Sequence, residues 1–224
     1  QVFSSGQELE NLMNLAIELD EKIGEILDYS YSKNFGYLAA SPINIGTGMK
    51  ASVIVHLPAL TYTGNLSKVL RIVNNFGMSV KGLYGEGTQN QGDMYLISNN
   101  QTIGVNEKEI ISNVKNIAEK VIEQERTARK FLGKNSLELE DRVYRSYGIL
   151  KFASRMSSDE CKKLLSDVKL GVDLGIIKEL DDSKMKKLEL YTKSGNLQKY
   201  FGKQLEGYER EIKRAEVIKQ IMNE

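Results

Sequence analysis

The stretch that decides the fold spans residues 36–60 and reads GYLAASPINIGTGMKASVIVHLPAL. Residues 51–58 are rich in β-branched side chains and end at a proline, which predicts a β-strand. Directly before this strand stand a Gly-Thr-Gly turn, residues 46–48, and the cation Lys50. Glycines let a backbone approach a ligand closely, and a neighbouring cation favours an anionic ligand. The stretch therefore predicts an anion site at the mouth of a strand.

A second strand that runs into glycines follows at residues 78–92, MSVKGLYGEGTQNQG. It carries Lys81 and, between two glycines, Glu86. Backbone N–H groups in such a loop can form a concave anion site, the lysine adds charge, and the carboxylate can take or steer a proton. Neither glycine-rich stretch matches GxxxxGK[ST] or GxGxxG. Pattern alone therefore favours a second interpretation, in which both are hairpin turns with solvent-facing Lys and Glu side chains.

Outside these stretches, apolar periodicity predicts helices over residues 7–29, 65–76 and 106–132, and a strand over 92–99. Asn106 with Glu109 has the spacing of a reciprocal helix cap. From residue 136 onward only helices are predicted. We therefore predict an α+β fold followed by an all-helical domain, with domains at 1–130 and 131–224.

On the first helix of the second domain, two pairs at i,i+4 spacing predict ion pairs on a solvated face. They are Glu138 with Arg142, and Asp141 with Arg145.

The composition is that of an ordinary globular protein of 224 residues, with 41% hydrophobic residues and a net charge of +1. The balanced charge argues against bulk nucleic-acid or membrane-surface binding, and no apolar run has the length of a membrane span. Cys161 is the only cysteine, so no internal disulfide forms and a reducing, cytoplasmic location is expected. Because His56 is the only histidine, a His/Cys metal cluster is not expected. The chain opens at Gln1 and reads like the middle of a longer protein.

Four segments together resemble the bacterial protein arginine kinases, which belong to the ATP:guanido phosphotransferase, or phosphagen kinase, superfamily. They are FGYLAASPINIGTGMKASVIVHLPAL (35–60), VKGLYGEGTQNQGDMYLISNNQTIG (80–104), RTARKFLGKNSLELEDRVYRSYGIL (126–150) and LLSDVKLGVDLGII (164–177). The first two are typical of the whole superfamily, and the last two of the protein arginine kinase branch. The resemblance implies an antiparallel sheet flanked by helices, followed by the helical domain.

The resemblance also implies where ATP binds and which residue is catalytic. The ATP-binding residues would be Lys50, Ala51, Ser52, Val53 and Ile54, then Lys81, Gly82, Leu83, Tyr84, Gly85 and Glu86. Glu86 would be the catalytic carboxylate, and Ser41 would lie on the side of the substrate guanidinium. A protonated guanidinium is a poor nucleophile, so a carboxylate must orient it and accept its proton while Mg²⁺, held through the nucleotide, and cations align the triphosphate.

This chain departs from the family pattern in ways that predict weaker catalysis. Ser41 stands where the family usually has Cys, and it lacks thiolate character. Lys50 and Lys81 stand where the family usually has Arg, and they keep the charge but lose the bidentate fork. A further phosphate-binding segment and a second carboxylate are expected upstream of Gln1.

A second site is implied in the last helix, which resembles the family's phosphoarginine-binding motif of regulatory function. Its residues would be Arg210, Glu211, Arg214 and Ala215. The two arginines are four residues apart and face one side of a helix, where they could clamp a phosphate. Composition alone favours a plain charged helix face.

The function implied is transfer of the γ-phosphoryl group of MgATP to arginine side chains of proteins, which marks them for degradation and acts in stress regulation. A homodimer through the C-terminal helices and an activator protein are also implied. The alternative left open is a catalytically weak or silent phosphoarginine-binding module. A kinase for free arginine or another small guanidino compound is disfavoured by the LYGEGTQ loop and the helical C-terminal part.

Overall fold

The computed structural model describes residues 1–83, 91–133 and 137–224. Two compact units can be distinguished. As far as they are described, the first comprises Gln1–Val55, Asn65–Thr88 and Tyr95–Gln124, and the second His56–Gly64, Gln89–Met94 and Glu125–Glu224. The predicted domains at 1–130 and 131–224 remain a prediction.

The helices and strands follow the predicted order. They are α1 (Leu9–Gly24), β1 (Tyr31–Ser32), β2 (Gly36–Tyr37), β3 (Ser52–His56), α2 (Pro58–Tyr62), α3 (Leu66–Asn75), β4 (Met78–Gly82), β5 (Met94–Asn99), α4 (Glu107–Leu132), α5 (Leu137–Phe152), α6 (Ser158–Asp173), α7 (Asp182–Tyr191), α8 (Ser194–Phe201) and α9 (Gly207–Asn223). Two short 3₁₀ helices lie at Pro42–Asn44 and Gln91–Asp93. The predicted α+β fold with a helical C-terminal part is confirmed. The small hairpin β1–β2, the short helix α2 and the helix α8 were not predicted.

The described strands form a small antiparallel pair, β1–β2, and a three-stranded sheet in the order β3–β5–β4. Strand β4 pairs antiparallel with β5, with Ser79 opposite Ser98 and Lys81 opposite Leu96. At the other edge, the N–H of Asn99 donates to the carbonyl of Ala51 at 3.3 Å. This bond sets β3 in an antiparallel register in which Ser52 lies opposite Ser98.

Each sheet face has its own chemistry, because successive side chains of a strand point to opposite faces. The core face is buried and consists of Ala51, Val55, Met78, Tyr95 and Ile97, with the side chain of Asn99 among them. In the same unit, helix α3 and the first part of α4 supply the buried apolar residues Val73, Ile110, Val114 and Ala118. The opposite face, which we call the lysine face, carries Ser52, Ile54, Ser79, Lys81, Leu96 and Ser98, the last of them only 2% exposed.

The start and end of α4 confirm the sequence signals. The Asn106 side chain accepts from the N–H of Glu109 at 2.9 Å, and the Glu109 carboxylate accepts from the N–H of Asn106 at 3.0 Å. This reciprocal cap satisfies two N–H groups that the first turn leaves unpaired. The helix ends at Leu132, directly before Gly133, as predicted; Lys134 and Asn135 of the predicted break lie outside the described residues.

The second unit is held together by one apolar core from α5, α6, α7, α8 and α9. Its fully buried members include Val143, Leu150, Val168, Leu188 and Ile218. Helices α5 and α6 approach closely at Gly171, where an added Cβ would lie 2.3 Å from Val143 Cγ1. Glycine is therefore required there for space, although its backbone is helical.

One of the two predicted ion pairs on α5 is wrong. Asp141 does bind Arg145, at 2.8 Å. Arg142 instead binds Asp167 of α6, at 2.8 Å, rather than Glu138. The Asp167 side chain is only 13% exposed. A carboxylate withdrawn from water gains more from a cation than the exposed Glu138 does, and this decides the partner.

Candidate nucleotide site

The Gly-Thr-Gly turn is fixed by contacts to the segment that follows β5. Gly46 has φ +113°, and a Cβ there would lie 2.2 Å from the carbonyl oxygen of Thr102. The N–H of Thr47 donates to that carbonyl at 3.0 Å. The Thr102 hydroxyl lies 2.9 Å from the carbonyl of Ile43 and 2.7 Å from that of Ile45, and donates to one of them. The close approach at Gly46 is thus to the protein itself.

Lys81 lies on the lysine face of the three-stranded sheet, and Lys50 stands just before its edge strand β3. Lys81 is opposite Leu96, and the β3 register places Ile54 opposite the same residue, so these three form one row across the lysine face. Lys50 stands two residues before β3 and is exposed, whereas Ala51 is buried; strand alternation extended to Lys50 assigns it to the lysine face, two rows away. By strand spacing and rise, the two Cα atoms stand roughly 17 Å apart.

Between the two lysines, the middle row of the lysine face carries hydroxyl groups. Ser52, Ser98 and Ser79 lie side by side in neighbouring strands, and the hydroxyls of Ser79 and Ser98 are 2.8 Å apart. Ile54 is 46% exposed and supplies an apolar surface in the next row. Ser98 is 2% exposed and its neighbours Ser52 and Ser79 are half-buried, so the exposed groups here are Lys50, Lys81 and Ile54.

Of the remaining residues predicted on this side, Ala51 and Val53 are in the sheet with their side chains on its core face. Gly82 closes β4, and Leu83 follows it, partly buried. Tyr84, Gly85 and Glu86 lie outside the described residues.

Ser41 is exposed and stands directly before the 3₁₀ helix Pro42–Asn44. Its carbonyl accepts from the N–H of Asn44 at 3.0 Å, and its hydroxyl makes no capping bond. The hydroxyl is therefore not engaged in holding the turn.

The segment around Lys50 is also held by a residue that sequence reasoning missed, Asn99. This side chain is 6% exposed and bonds the backbone on both sides of Lys50. Its oxygen accepts from the N–H of Ala51 at 2.8 Å, and its nitrogen donates to the carbonyl of Met49 at 3.1 Å. An asparagine that ends a strand is a signal for such side-chain bonds to the backbone.

The second predicted site lies in α9, where Arg214 is buried rather than on an exposed helix face. Its Nε donates to the carbonyl of Thr192 at 2.9 Å, and its Nη1 donates to that of Met156 at 2.7 Å. The remaining nitrogen, Nη2, lies 3.4 Å from the hydroxyl of Ser194. In the described part of the chain, no carboxylate stands within ion-pair distance of this guanidinium. Burial lowers the pKa of Arg214, and the nearby charge of Arg210 adds to the effect.

The other predicted members of this site surround that arginine. Arg210 lies one turn earlier and is partly exposed. The carbonyl of Glu211 accepts from the N–H of Met156 at 3.1 Å, which ties α9 to the segment before α6. Ala215 is 1% exposed and packs in the core. The structure thus brings a buried and a partly exposed arginine together on one helix.

The single histidine and the single cysteine are both uncharged in the folded protein. His56 ends β3, and its Nε2 lies 2.8 Å from the hydroxyl of Ser166. Burial lowers the pKa of His56 to about 3, and burial raises the pKa of the Cys161 thiol to about 11. Both groups are therefore neutral at physiological pH.

Over residues 1–83, 91–133 and 137–224, no cluster of three or more His, Cys, Asp and Glu side chains is placed to hold a metal ion. In the same ranges no helix is both long and apolar enough to cross a membrane.

Comparison with known proteins agrees with the resemblance in the sequence. Residues 1–128 match the family of the ATP:guanido phosphotransferase C-terminal catalytic domain, and residues 136–224 match the protein-arginine kinase McsB C-terminal domain. A protein-arginine kinase from Halothermothrix orenii is 47% identical over all of this chain, which spans 64% of that relative's length. One from Bacillus subtilis is 42% identical, again over the whole chain and over 62% of the relative.

Among solved structures, the duplicated taurocyamine kinase from Schistosoma mansoni with bound transition-state-analogue components is similar to this chain. It is 29% identical, with a TM-score of 0.47, over 53% of this chain and 16% of that one. The family match alone covers more than half of the chain. The chain therefore belongs to the ATP:guanido phosphotransferase family, and its C-terminal part to the protein-arginine kinase branch of that family.

Proposed function

We propose that the protein carrying this chain transfers the γ-phosphoryl group of MgATP to arginine side chains of proteins. The observation that supports the proposal is the register of the three-stranded sheet: strand alternation extended from β3 assigns Lys50 to the face of Lys81, with Ser52 and Ser79 in the row between them. The named relatives are protein-arginine kinases. The chain spans less than two thirds of the length of the first relative, so the activity of the whole protein is part of the proposal.

In the proposed reaction, a guanidinium nitrogen of the substrate attacks the γ-phosphorus in line with the leaving oxygen of ADP. The N–P bond forms as the P–O bond breaks, and the nitrogen's proton passes to a carboxylate, which we assign to Glu86. Lys50 and Lys81 hold the phosphates, and Mg²⁺ bound through them neutralises their charge. Single-point lysine charges align the phosphates less tightly than the arginine fork would, so a modest rate is expected.

The experiment uses the complete protein, MgATP and an unfolded arginine-bearing protein at neutral pH, and detects phosphoarginine by mass spectrometry without exposure to acid. Phosphoarginine is expected with the unaltered protein and with the control Glu119→Gln, an exposed carboxylate on α4. It is expected to disappear with Glu86→Gln while ATP still binds. A rate retained by Glu86→Gln would remove that residue from the mechanism. No phosphoarginine from a folded, ATP-bound protein would overturn the proposed activity.

We further propose that Arg210, Glu211, Arg214 and Ala215 surround a phosphoarginine-binding pocket. The support is the buried guanidinium of Arg214, which has neutral oxygen partners in the described part of the chain. A bound phosphoryl group would supply the missing negative charge. Calorimetry with free phosphoarginine should show binding that Arg210→Ala weakens and the same-helix control Lys219→Ala leaves unchanged. Equal binding by both variants would contradict the assignment.

A homodimer through the C-terminal helices is also proposed. Helices α5 and α9 pack against each other and carry exposed apolar side chains, which support this proposal. They are Ile149, Phe152 and Tyr208, the last two 74% and 62% exposed. Sedimentation should give a dimer that Phe152→Asp weakens. A cytoplasmic location, a stress-response role and an activator protein remain predictions from the resemblance.

A further inference from the structure

The side chain of Asn99 uses its hydrogen-bonding groups on the backbone around Lys50. The oxygen accepts from Ala51 N–H, one amide hydrogen goes to the carbonyl of Met49, and the other goes to the carbonyl of Gln101 at 3.1 Å. The backbone N–H of Asn99 donates to the carbonyl of Ala51 at 3.3 Å. One buried side chain thus bonds the residue before Lys50, the residue after it and its own strand end.

These bonds are costly to lose, because the site is buried. Asn99 is 6% exposed and Ala51 is 7% exposed. Removing the amide would leave the buried N–H of Ala51 and the half-buried carbonyl of Met49 unpaired, which favours backbone shifts that give these groups other partners. The segment that moves is the one that carries Lys50, since its neighbours on both sides would be released together.

Among the described residues, no side chain holds the Lys50 ammonium group in a hydrogen bond or ion pair, and Lys50 is exposed. The position of its ammonium group therefore depends on the backbone from which the side chain projects. A lysine offers a single charge on a flexible stem, so the backbone anchor determines how often that charge reaches a phosphate.

We propose that Asn99 is a positioning residue for the nucleotide, acting through Lys50 by holding the backbone of Met49 and Ala51. The inference rests on the proposed function, since it assumes that Lys50 faces the phosphates of ATP. Asn99 touches neither ATP nor the substrate in this proposal.

The test is a double-mutant cycle on MgATP affinity, measured by calorimetry with the complete protein. The variants are Asn99→Ala, Lys50→Gln and the two together. Val73→Ala is the control, because it truncates a buried side chain of the same unit, 3% exposed, in helix α3. Thermal unfolding of each variant identifies any general loss of stability.

Asn99→Ala is expected to weaken ATP binding about fivefold, in the range of coupling energies of residues in one hydrogen-bond network. With Lys50 already replaced by Gln, the same change should alter the affinity less than about twofold. Val73→Ala should lower stability without changing ATP affinity. If Asn99→Ala does not fold, Asn99→Ser, which keeps a polar group in the buried position, takes its place in the cycle.

The possible failures are distinguishable. If neither the unaltered protein nor Val73→Ala binds MgATP, both the proposed function and the inference are overturned. If both bind, and Asn99→Ala binds equally well, only the role of Asn99 is overturned. An equal loss from Asn99→Ala with and without Lys50 would assign Asn99 a general structural role and also overturn the inference.

Discussion

Replacing His56 with Gln is expected to make the protein less sensitive to acid. The Ser166 hydroxyl donates its single proton to the carboxylate of Asp93 at 2.7 Å, so it can only accept from His56 Nε2. His56 is therefore neutral with its proton on Nε2. Burial and the neighbouring charge of Arg129 lower its pKa to about 3; the charges of Lys169 and Asp173 have smaller effects of opposite sign.

The direction and size of the effect follow from the two pKa values. In the unfolded chain the histidine titrates near 6.5 and in the folded protein near 3. Between these values the unfolded chain binds the proton and the folded protein does not. Stability is therefore complete above pH 6.5 and is lost as the pH falls from 6.5 towards 3. Between pH 6.5 and 5 the loss amounts to about 2 kcal/mol, at about 1.4 kcal/mol per pH unit.

Gln is the matched substitution because its amide N–H₂ reaches the position of Nε2–H and does not titrate. The free energy of unfolding is measured by urea denaturation at pH 7.5 and pH 5.0 for both proteins. Acidic residues titrate alike in both, so the difference between the two losses isolates His56. The unaltered protein should lose about 2 kcal/mol more than the variant. Equal losses would refute the reasoning, as would an NMR titration of the single histidine in the folded protein with a midpoint near 6.5.

Three further outcomes are expected. Gly171→Ala should lower stability by about 1–3 kcal/mol in urea denaturation, because the methyl group meets Val143, and Val143→Ala should reduce that cost. Glu125→Gln should lower stability by about 1–3 kcal/mol in the same assay. The buried Glu125 carboxylate accepts from the N–H of Ala59 at 3.0 Å and of Leu60 at 2.9 Å, and an amide has only one oxygen to accept both bonds. Cys161 should react with a thiol reagent only upon unfolding, because burial raises its pKa to about 11.

The elements that the sequence predicted are those whose signals are local. The cap at Asn106 and the glycine after α4 act within a few residues, and the apolar period of α4 is read in one window. Helix α2 escaped prediction because its cap comes from far away. Its first N–H groups are satisfied by Glu125, 65 and 66 residues further along the chain, and no local pattern carries that information.

The candidate site was likewise predicted only where its signals are local. The sequence pointed to Lys50 and Lys81 as cations beside glycines, but not to their position on one sheet face. That position depends on the pairing of β3 with β5, residues separated by about 48 positions, as Ala51 and Asn99 are. Arg142 likewise pairs with Asp167 because that carboxylate is largely buried, and a rule based on sequence spacing cannot detect burial.

The opening stretch therefore meets two requirements, one of the fold and one of the proposed ligand site, and the sequence alone does not distinguish them. Gly46 is a glycine because the Thr102 carbonyl lies where its Cβ would be, so this residue serves the fold. Gly48 has open space beside it, with its nearest contact at 3.8 Å, and only its φ of +63° asks for glycine. The charge of Lys50 is the part that the fold does not need, since its neighbours are already bonded through Asn99. In the proposed function, Lys50 supplies its charge to the phosphates, and Asn99 supplies the bonds that hold the backbone from which Lys50 projects.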